Sequence, residues 1–314
     1  MSEFRDDLDF ALHIDFEAIL KNPILDIAAR LWEEERYEAF RVCYRSMRII
    51  DDIVDNRKSR GDRISDSEIA ALSNQMRSWL ESVQSGRISD EFGQQFAETL
   101  RKFAIPLWPW ERLCRAMVYD LRHDGFASFL TFARYAEGAA VSPAAIFMHL
   151  CGVKRTESGY SRPTYDIRLA ARPLAVFSYL VHIMRDFEVD QRNNLDYFAD
   201  WIMHDCGIRR EDLRTIAMTN KPTAAFRQLM ARYRAIGEFY RAKARAQVDA
   251  TLPLLAPRYQ LSLEMIYSLY LQIFDRINPE TGEFSAGALN PEPQELRAQI
   301  ERTIDQFRPV SPVT

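Results

Sequence analysis

Two acidic stretches in this chain have the residue types and spacing of a cation site. One is Tyr44 to Asp55, YRSMRIIDDIVD, and the other is Arg185 to Asp190, RDFEVD. Helix residues three or four apart stand one above the other, so Tyr44, Arg48, Asp51 and Asp55 form one stripe, and Asp186 and Asp190 form a second. Two such stripes facing each other make a cage of carboxylates. Mg²⁺ prefers oxygen ligands and completes its shell with waters and substrate phosphates, so the chemistry indicated is that of a diphosphate site. Ile49, Ile50, Ile53 and Val54 surround the first set of acids. Carboxylates buried there without partners would be costly, which favours a role with metal or cationic partners over a solvated face. Asp120 and Asp124, in DLRHD, share the spacing but lack this setting and serve as an internal control.

The elements that must position these stripes read as helices throughout. Pro23 to about Asn56 reads as one long amphipathic helix, opened by Asn22 as N-cap and Pro23 at the first position. Ser65 and Glu68 form a capping-box pattern for a helix over 66 to 84. Helical periods follow over 89 to 104 and 109 to 122, with the prolines of IPLWPW forcing a corner between them. Residues 127 to 151 read as a buried helix pair bent near Gly138. After a loop, KRTESGYSRP, a long helix is expected from about Thr164 to Asp190, with a bend at Pro173. Shorter helices are expected over 195 to 205 and 209 to 217, then longer ones over 222 to 252, 258 to 277 and 292 to 307. No convincing strand pattern or internal repeat appears. The expectation is therefore all-α, one helical domain over residues 1–314 with its core at about 20 to 290.

Composition narrows the function. The 314 residues are 47% hydrophobic, enough for a large core, and the net charge of −4 gives no basic bias toward nucleic acid. Cys43, Cys114, Cys151 and Cys206 are scattered without zinc-ligand spacing, as fits thiols in a reducing cytoplasm. The start, MSEFRDDLDF, is acidic where a signal peptide would be basic, and no apolar run approaches the ~18 residues of a membrane span. A cytoplasmic protein is expected, one whose greasy substrate is compatible with peripheral contact to a membrane surface. None of the 11 glycines forms a GxG, so phosphate binding has to rely on metals and cationic side chains.

In their order along the chain these signals resemble the squalene/phytoene synthase family, the head-to-head isoprenoid synthases. Tyr44-x-x-x-Arg48-x-x-Asp51-Asp52-x-x-Asp55 is similar to the family's first aspartate-rich motif. Arg185-Asp186-x-x-x-Asp190, followed by Arg192, Tyr197-Phe198 and Gly207, is similar to its second. YDLRHDGFASFLTFARYAEGAA is similar to the family's approach to an active-site tyrosine, falling on Tyr135, and Tyr270 falls where another cavity tyrosine is carried. The resemblance implies an isoprenoid-synthase helical bundle with a central active-site cavity, prenyl diphosphates as substrates, and Mg²⁺ held by Asp51, Asp55, Asp186 and Asp190 with Asp52 assisting. It further implies diphosphate binding by Arg48, Arg185, Lys21 and Arg192. Tyr44 and Tyr135 would stand at the reacting centre, with Tyr197 closing the lid. Phe147, Phe177, Tyr179, Tyr267 and Tyr270 are expected as cavity wall. The family includes members that use NADPH and members that do not, so its use is left open.

Three departures bear on the reaction. Lys21-Asn22-Pro23-Ile24-Leu25 replaces a segment bearing serine and phenylalanine. The pattern QxxNxxRD becomes Tyr179-x-x-His182-x-x-Arg185-Asp186, so an imidazole replaces a metal-ligating amide, as a ligand through one nitrogen or as a hydrogen-bonded core residue. Gly287 falls where a phosphate-binding arginine is expected. The leading expectation is condensation of two farnesyl or geranylgeranyl diphosphates head to head. The alternatives are a terpene cyclase or diphosphate lyase acting on one prenyl diphosphate, and a non-catalytic prenyl-lipid binding protein.

Overall fold

A computed structural model describes residues 15–311 apart from Asn22 and Ser158. Its centre is the helix Ile167–Arg185 (α1 below), which buries Ala175, Val176, Phe177, Leu180, Val181 and Met184 and packs against Val141–Gly152 on one side and Ala224–Thr251 on the other. It runs unbroken through Pro173, where a bend was expected. The carbonyl deprived of its donor there is that of Leu169, whose residue is 60% exposed, so solvent can satisfy it. The helix ends at Arg185. Asp186 (φ −90°, ψ 7°) is a junction, and a separate short helix, Phe187–Arg192 (α2), carries Asp190.

The expected helix from Pro23 is also divided, into Ile24–Ala29 and Glu34–Lys58 (α3). Trp32 causes the break by turning inward, where its ring lies 4.6 Å from that of Phe147 and its indole N–H donates to Ser262 Oγ at 2.8 Å. Pro23 is the N-cap of the first piece, and the expected cap Asn22 lies outside the described residues. Asp66–Gln84 follows as expected, but its capping box is only half formed. Ser65 Oγ accepts from the Glu68 N–H, while the Glu68 carboxylate reaches back to Arg57 at 2.6 and 3.1 Å.

Glu91–Lys102, Trp108–Arg122, Phe129–Ala139 and Val141–Gly152 occupy the expected places. Gly138 lets two of them approach: a Cβ there would lie 2.4 Å from the Arg112 carbonyl oxygen. The expected loop folds back on itself as a short antiparallel hairpin, Lys154–Thr156 with Gly159–Ser161. Three-residue strands are too short to leave a period in the sequence. Asp200–Asp205, Arg210–Thr219, Pro257–Arg276, Ala286–Leu289 and Pro293–Gln306 complete the bundle, and one contiguous hydrophobic cluster extends from Ile19 to Phe307.

Within this core His149 is 1% exposed, and its Nε2–H donates to the Phe103 carbonyl at 2.8 Å. Burial disfavours the imidazolium and outweighs that hydrogen bond, lowering the pKa from 6.5 to about 4. The unfolded chain thus binds the proton first, so this contribution is complete above pH 6.5 and is lost as the pH falls toward 4. It is worth up to about 3 kcal/mol. Urea unfolding across that window should show a shallower loss of stability for His149→Gln than for the parent chain; equal slopes would refute the assignment.

Candidate functional site

The first acidic stripe lies on α3 and faces a cavity that Asp190, the member of the second stripe carried by α2, also lines. Asp51 and Asp55 line its mouth together with Tyr44 and Arg48, and Asp190 lines it from the other side with Arg185, His182 and Tyr197. The cavity then follows α1 inward past Tyr179, Ser178, Ala175 and Leu174 to Ala171 and Ala170. The fifteen helical steps from Arg185 to Ala170 correspond to about 22 Å at the rise of an α-helix. Its mouth is polar and open, with the Arg48 side chain 47% exposed, whereas Ala171 is fully buried. The inner walls are apolar: Ala139, Ala140, Pro143, Ala144, Phe147, Leu263 and Ile266.

At the mouth negative charge is crowded. Burial, followed by the charges of Asp51 and Asp120, pushes Asp55 up to about 7. Burial, then Asp186 and Asp55, pushes Asp190 up to about 8, and its buried Oδ2 has no hydrogen-bond partner. Asp51 is raised by burial although Arg48 opposes the shift. Arg48 bridges the neighbouring acids, donating to Asp51 Oδ2 at 2.7 Å and to Asp52. A crowded, oxygen-only set with an unpartnered buried atom has the character that suits Mg²⁺. Among the described residues, no three acidic, histidine or cysteine side chains are gathered closely enough to enclose an ion. An ion held by Asp51, Asp55 and Asp190 would therefore complete its shell from water and phosphate oxygens.

Asp186 behaves differently from the expectation for it. Arg185 grips both its oxygens, Nε to Oδ1 and Nη2 to Oδ2, each at 2.7 Å, and His182 Nε2 lies 2.9 Å from Oδ2. Burial alone would raise its pKa, but these hydrogen bonds and their charge hold it well below the usual carboxylate range. His182 is correspondingly occupied. An arginine only donates, so Nδ1 accepts from Arg185 Nη2 at 3.1 Å and the proton sits on Nε2 facing Asp186. Neither imidazole nitrogen is free for a metal in this arrangement, and Asp186 does not line the cavity.

Other expected residues are also placed elsewhere. Lys21 is exposed, Asp52 is half-exposed, and Arg192 pairs with Glu188 at 2.6 Å; none of the three lines the cavity. Phe177 and Tyr267 pack against each other, with Phe177 also on Phe274, on the far face of α1. Phe147, Tyr179 and Tyr270 do line the cavity, as does Tyr135. Tyr135, Tyr179 and Tyr197 form a mutual cluster with ring centroids 6.0–6.5 Å apart, and burial keeps their hydroxyls protonated. The segment bearing Gly287 docks on α2 through the Ala286 N–H to Glu188 Oε2 at 2.7 Å, outside the cavity wall. Sequence reasoning missed the alanine lining; its signal was the small-residue runs AEGAAVSPAA and LAARPLA. It also missed Lys58, one turn beyond Asp55, whose Nζ donates to Asp120 Oδ1 at 2.6 Å with both side chains buried.

The sequence profile of the squalene/phytoene synthase family matches residues 26–300. Phytoene synthase 3, chloroplastic, of Zea mays is 24% identical over 274 residues, covering 87% of this chain and 60% of the maize protein. Phytoene synthase, chloroplastic, of Narcissus pseudonarcissus is 24% identical over 247 residues, covering 79% and 54%. This chain thus spans somewhat more than half the length of those relatives. Among solved structures, a ligand-bound dehydrosqualene synthase aligns with a TM-score of 0.71 at 14% identity over 97% of both chains. The squalene synthase HpnC from Alicyclobacillus acidocaldarius aligns with a TM-score of 0.55 at 15% identity, over 91% of this chain and 100% of the other. These likenesses show the isoprenoid-synthase helical fold.

The Lys58–Asp120 pair ties the end of α3, and with it Asp55, to Trp108–Arg122. Asp120→Asn leaves a buried ammonium without its counter-charge and should cost about 3–5 kcal/mol in urea unfolding. Asp124→Asn, on the exposed control residue, should change stability by less than about 0.5 kcal/mol. Equal effects would show that the pair does not anchor the helix.

Proposed function

We propose, from the premise that the chain belongs to the squalene/phytoene synthase family, that it is a Mg²⁺-dependent prenyltransferase joining two prenyl diphosphates, farnesyl or geranylgeranyl, head to head with loss of diphosphate. The observation that carries this reading is the convergence of Asp51, Asp55 and Asp190, from helices far apart in sequence, on the polar mouth of a long apolar cavity. Mg²⁺ held by these carboxylates would supply the positive charge that neutralises a departing diphosphate. Arg48 and Arg185, at the same mouth, bind and orient the phosphates, so the allylic C–O bond breaks with its electron pair leaving on the diphosphate in a preorganised field.

The allylic cation that remains is captured by the π electrons of the second prenyl chain, and the tertiary cation so formed loses a proton to the released diphosphate as a cyclopropane ring closes. Water would intercept it, and the apolar walls keep water out. Tyr135, Tyr179 and Tyr197 line the same cavity, and their π faces would stabilise that positive charge. Tyr44, whose hydroxyl burial pushes up to about 12, stays protonated and able to donate a hydrogen bond to a phosphate oxygen. On this reading the protein works in a reducing cytoplasm, and Cys43, Cys114, Cys151 and Cys206 remain thiols.

The test is product analysis by mass spectrometry after incubation with farnesyl or geranylgeranyl diphosphate and Mg²⁺, with and without NADPH. A doubled carbon skeleton is expected, and the NADPH arm reports whether it is reduced. Products with the carbon count of a single substrate would replace this reading by the cyclase or lyase, and absence of turnover with retained prenyl-lipid binding would favour the binding protein. Asp51→Asn and Asp190→Asn should each lower kcat/KM by about a hundredfold to a thousandfold, with the circular dichroism spectrum unchanged.

A further inference from the structure

A second concentration of charge lies outside the cavity, and its sign is the opposite one. Trp108–Arg122 and Phe129–Ala139 approach closely where Gly138 lets them: a Cβ there would meet the Ala116 Cβ at 2.5 Å. The seam between these helices opens into a groove of about 450 Å³, the size of a small-molecule site and far short of a protein footprint. Arg112 and Arg115 line it from the first helix and Thr131, Arg134 and Tyr135 from the second, with Glu137 as the one carboxylate of the lining.

That carboxylate is committed elsewhere. Glu137 Oε2 accepts from Arg168 Nε and Nη2 at 3.0 and 2.8 Å, and its Oε1 accepts from Arg172, both arginines belonging to α1. Arg112 reaches the same group only at 3.4 Å, and its guanidinium carbon lies 5.3 Å from the centre of the Trp108 ring. The exposed side chains of Arg115 and Arg134 have no hydrogen-bond or ion-pair partner among the described residues. Arg112 and Arg115 stand three apart on one helix, and Arg168 and Arg172 four apart on another, spacings at which like charges oppose the helix that carries them. Burial, then the charges of Arg168 and Arg115, lower the Arg112 pKa although Glu137 acts against the shift. Three guanidinium groups therefore line the groove while its single carboxylate is spent mainly on two others. A guanidinium presents paired N–H groups that match two phosphate oxygens, and guanidiniums from two helices suit an anion with more than one phosphoryl group.

We infer that the groove between Trp108–Arg122 and Phe129–Ala139 is a metal-independent binding site for a diphosphate-bearing small molecule, held by Arg112, Arg115 and Arg134. It differs in kind from the cavity mouth, where crowded acids repel an anion until a cation is bound. Tyr135 lines both spaces, so the groove and the cavity share a wall residue. The inference rests on the proposed function only for its purpose, since diphosphate is the group that reaction releases and the groove would register it beside the cavity; the binding itself does not depend on turnover. The test is isothermal titration calorimetry of the full chain in EDTA with inorganic diphosphate, with methyl diphosphate and with orthophosphate. A diphosphate should bind about tenfold more tightly than orthophosphate, and the tighter of the two diphosphates tells the free ion from an ester. Arg115→Ser with Arg134→Ser should lower that affinity by about tenfold or more, while leaving prenyl diphosphate turnover unchanged. Arg48→Ser, at the cavity mouth, should bind diphosphate in EDTA as the parent does. The inference is overturned if no diphosphate binds in EDTA, if orthophosphate binds equally well, if the double variant binds as the parent does, or if Arg48→Ser loses as much affinity as the double variant. A chain that turns over prenyl diphosphates yet takes up none of these anions without metal keeps the proposed function and loses this site.

Discussion

Carboxylates brought together in a half-buried place repel one another, and that repulsion governs the mouth of the cavity. Across the gap between α3 and α2 the charge of Asp55 raises the proton affinity of Asp190, and Asp51 and Asp120 raise that of Asp55, on top of what burial does. Nothing in hydrophobic packing rewards such crowding. The fold nevertheless enforces it from both sides: Lys58–Asp120 fixes the end of α3, and the junction at Asp186 turns α2 so that Asp190 faces inward. A polypeptide stabilised at this cost has an energetic deficit that a divalent cation and a phosphate group together would relieve.

The depth of the cavity has a different origin, in the absence of side-chain volume. Ala170, Ala171 and Ala175 on α1 face Ala139, Ala140 and Ala144 on the helix pair beside it, so backbones held apart by the rest of the core leave space between them. Larger residues on the opposite face of α1, Phe177 and Leu180 among them, fill the core and keep that separation. An empty apolar space survives only when its lining cannot collapse, and packing the bulky residues on one face and the small ones on the other achieves that.

The helical architecture was legible because long apolar periods and caps repeat along the chain, and the two acidic stripes were legible because four-residue spacing survives any tertiary arrangement. What was not legible depended on partners remote in sequence. Trp32 breaks a helix for the sake of Phe147 and Ser262, and Phe177 and Tyr267 find each other rather than the cavity. Asp120 differed from Asp124 only through Lys58, which sits 62 residues earlier. Spacing proposes which residues share a face. It does not reveal which of them has already been claimed by a neighbour.

The two aspartates of the second stripe illustrate that limit most sharply. They sit one turn apart, and Asp190 N–H donates to the Asp186 carbonyl at 2.8 Å, yet their charges are set in opposite directions. Asp186 has a guanidinium on both oxygens and an imidazole on one, while Asp190 Oδ2 has nothing. An amide at position 182 would offer one donor and one acceptor on a freely turning group. The imidazole offers the same pair on a rigid ring, with its tautomer fixed by Arg185, and so closes a ring of contacts through His182, Arg185 and Asp186. That closure holds the Arg185 guanidinium at the cavity mouth in one orientation and withdraws one carboxylate from the crowd, leaving Asp190 as the member of its stripe that presents an unpartnered carboxyl group to the cavity.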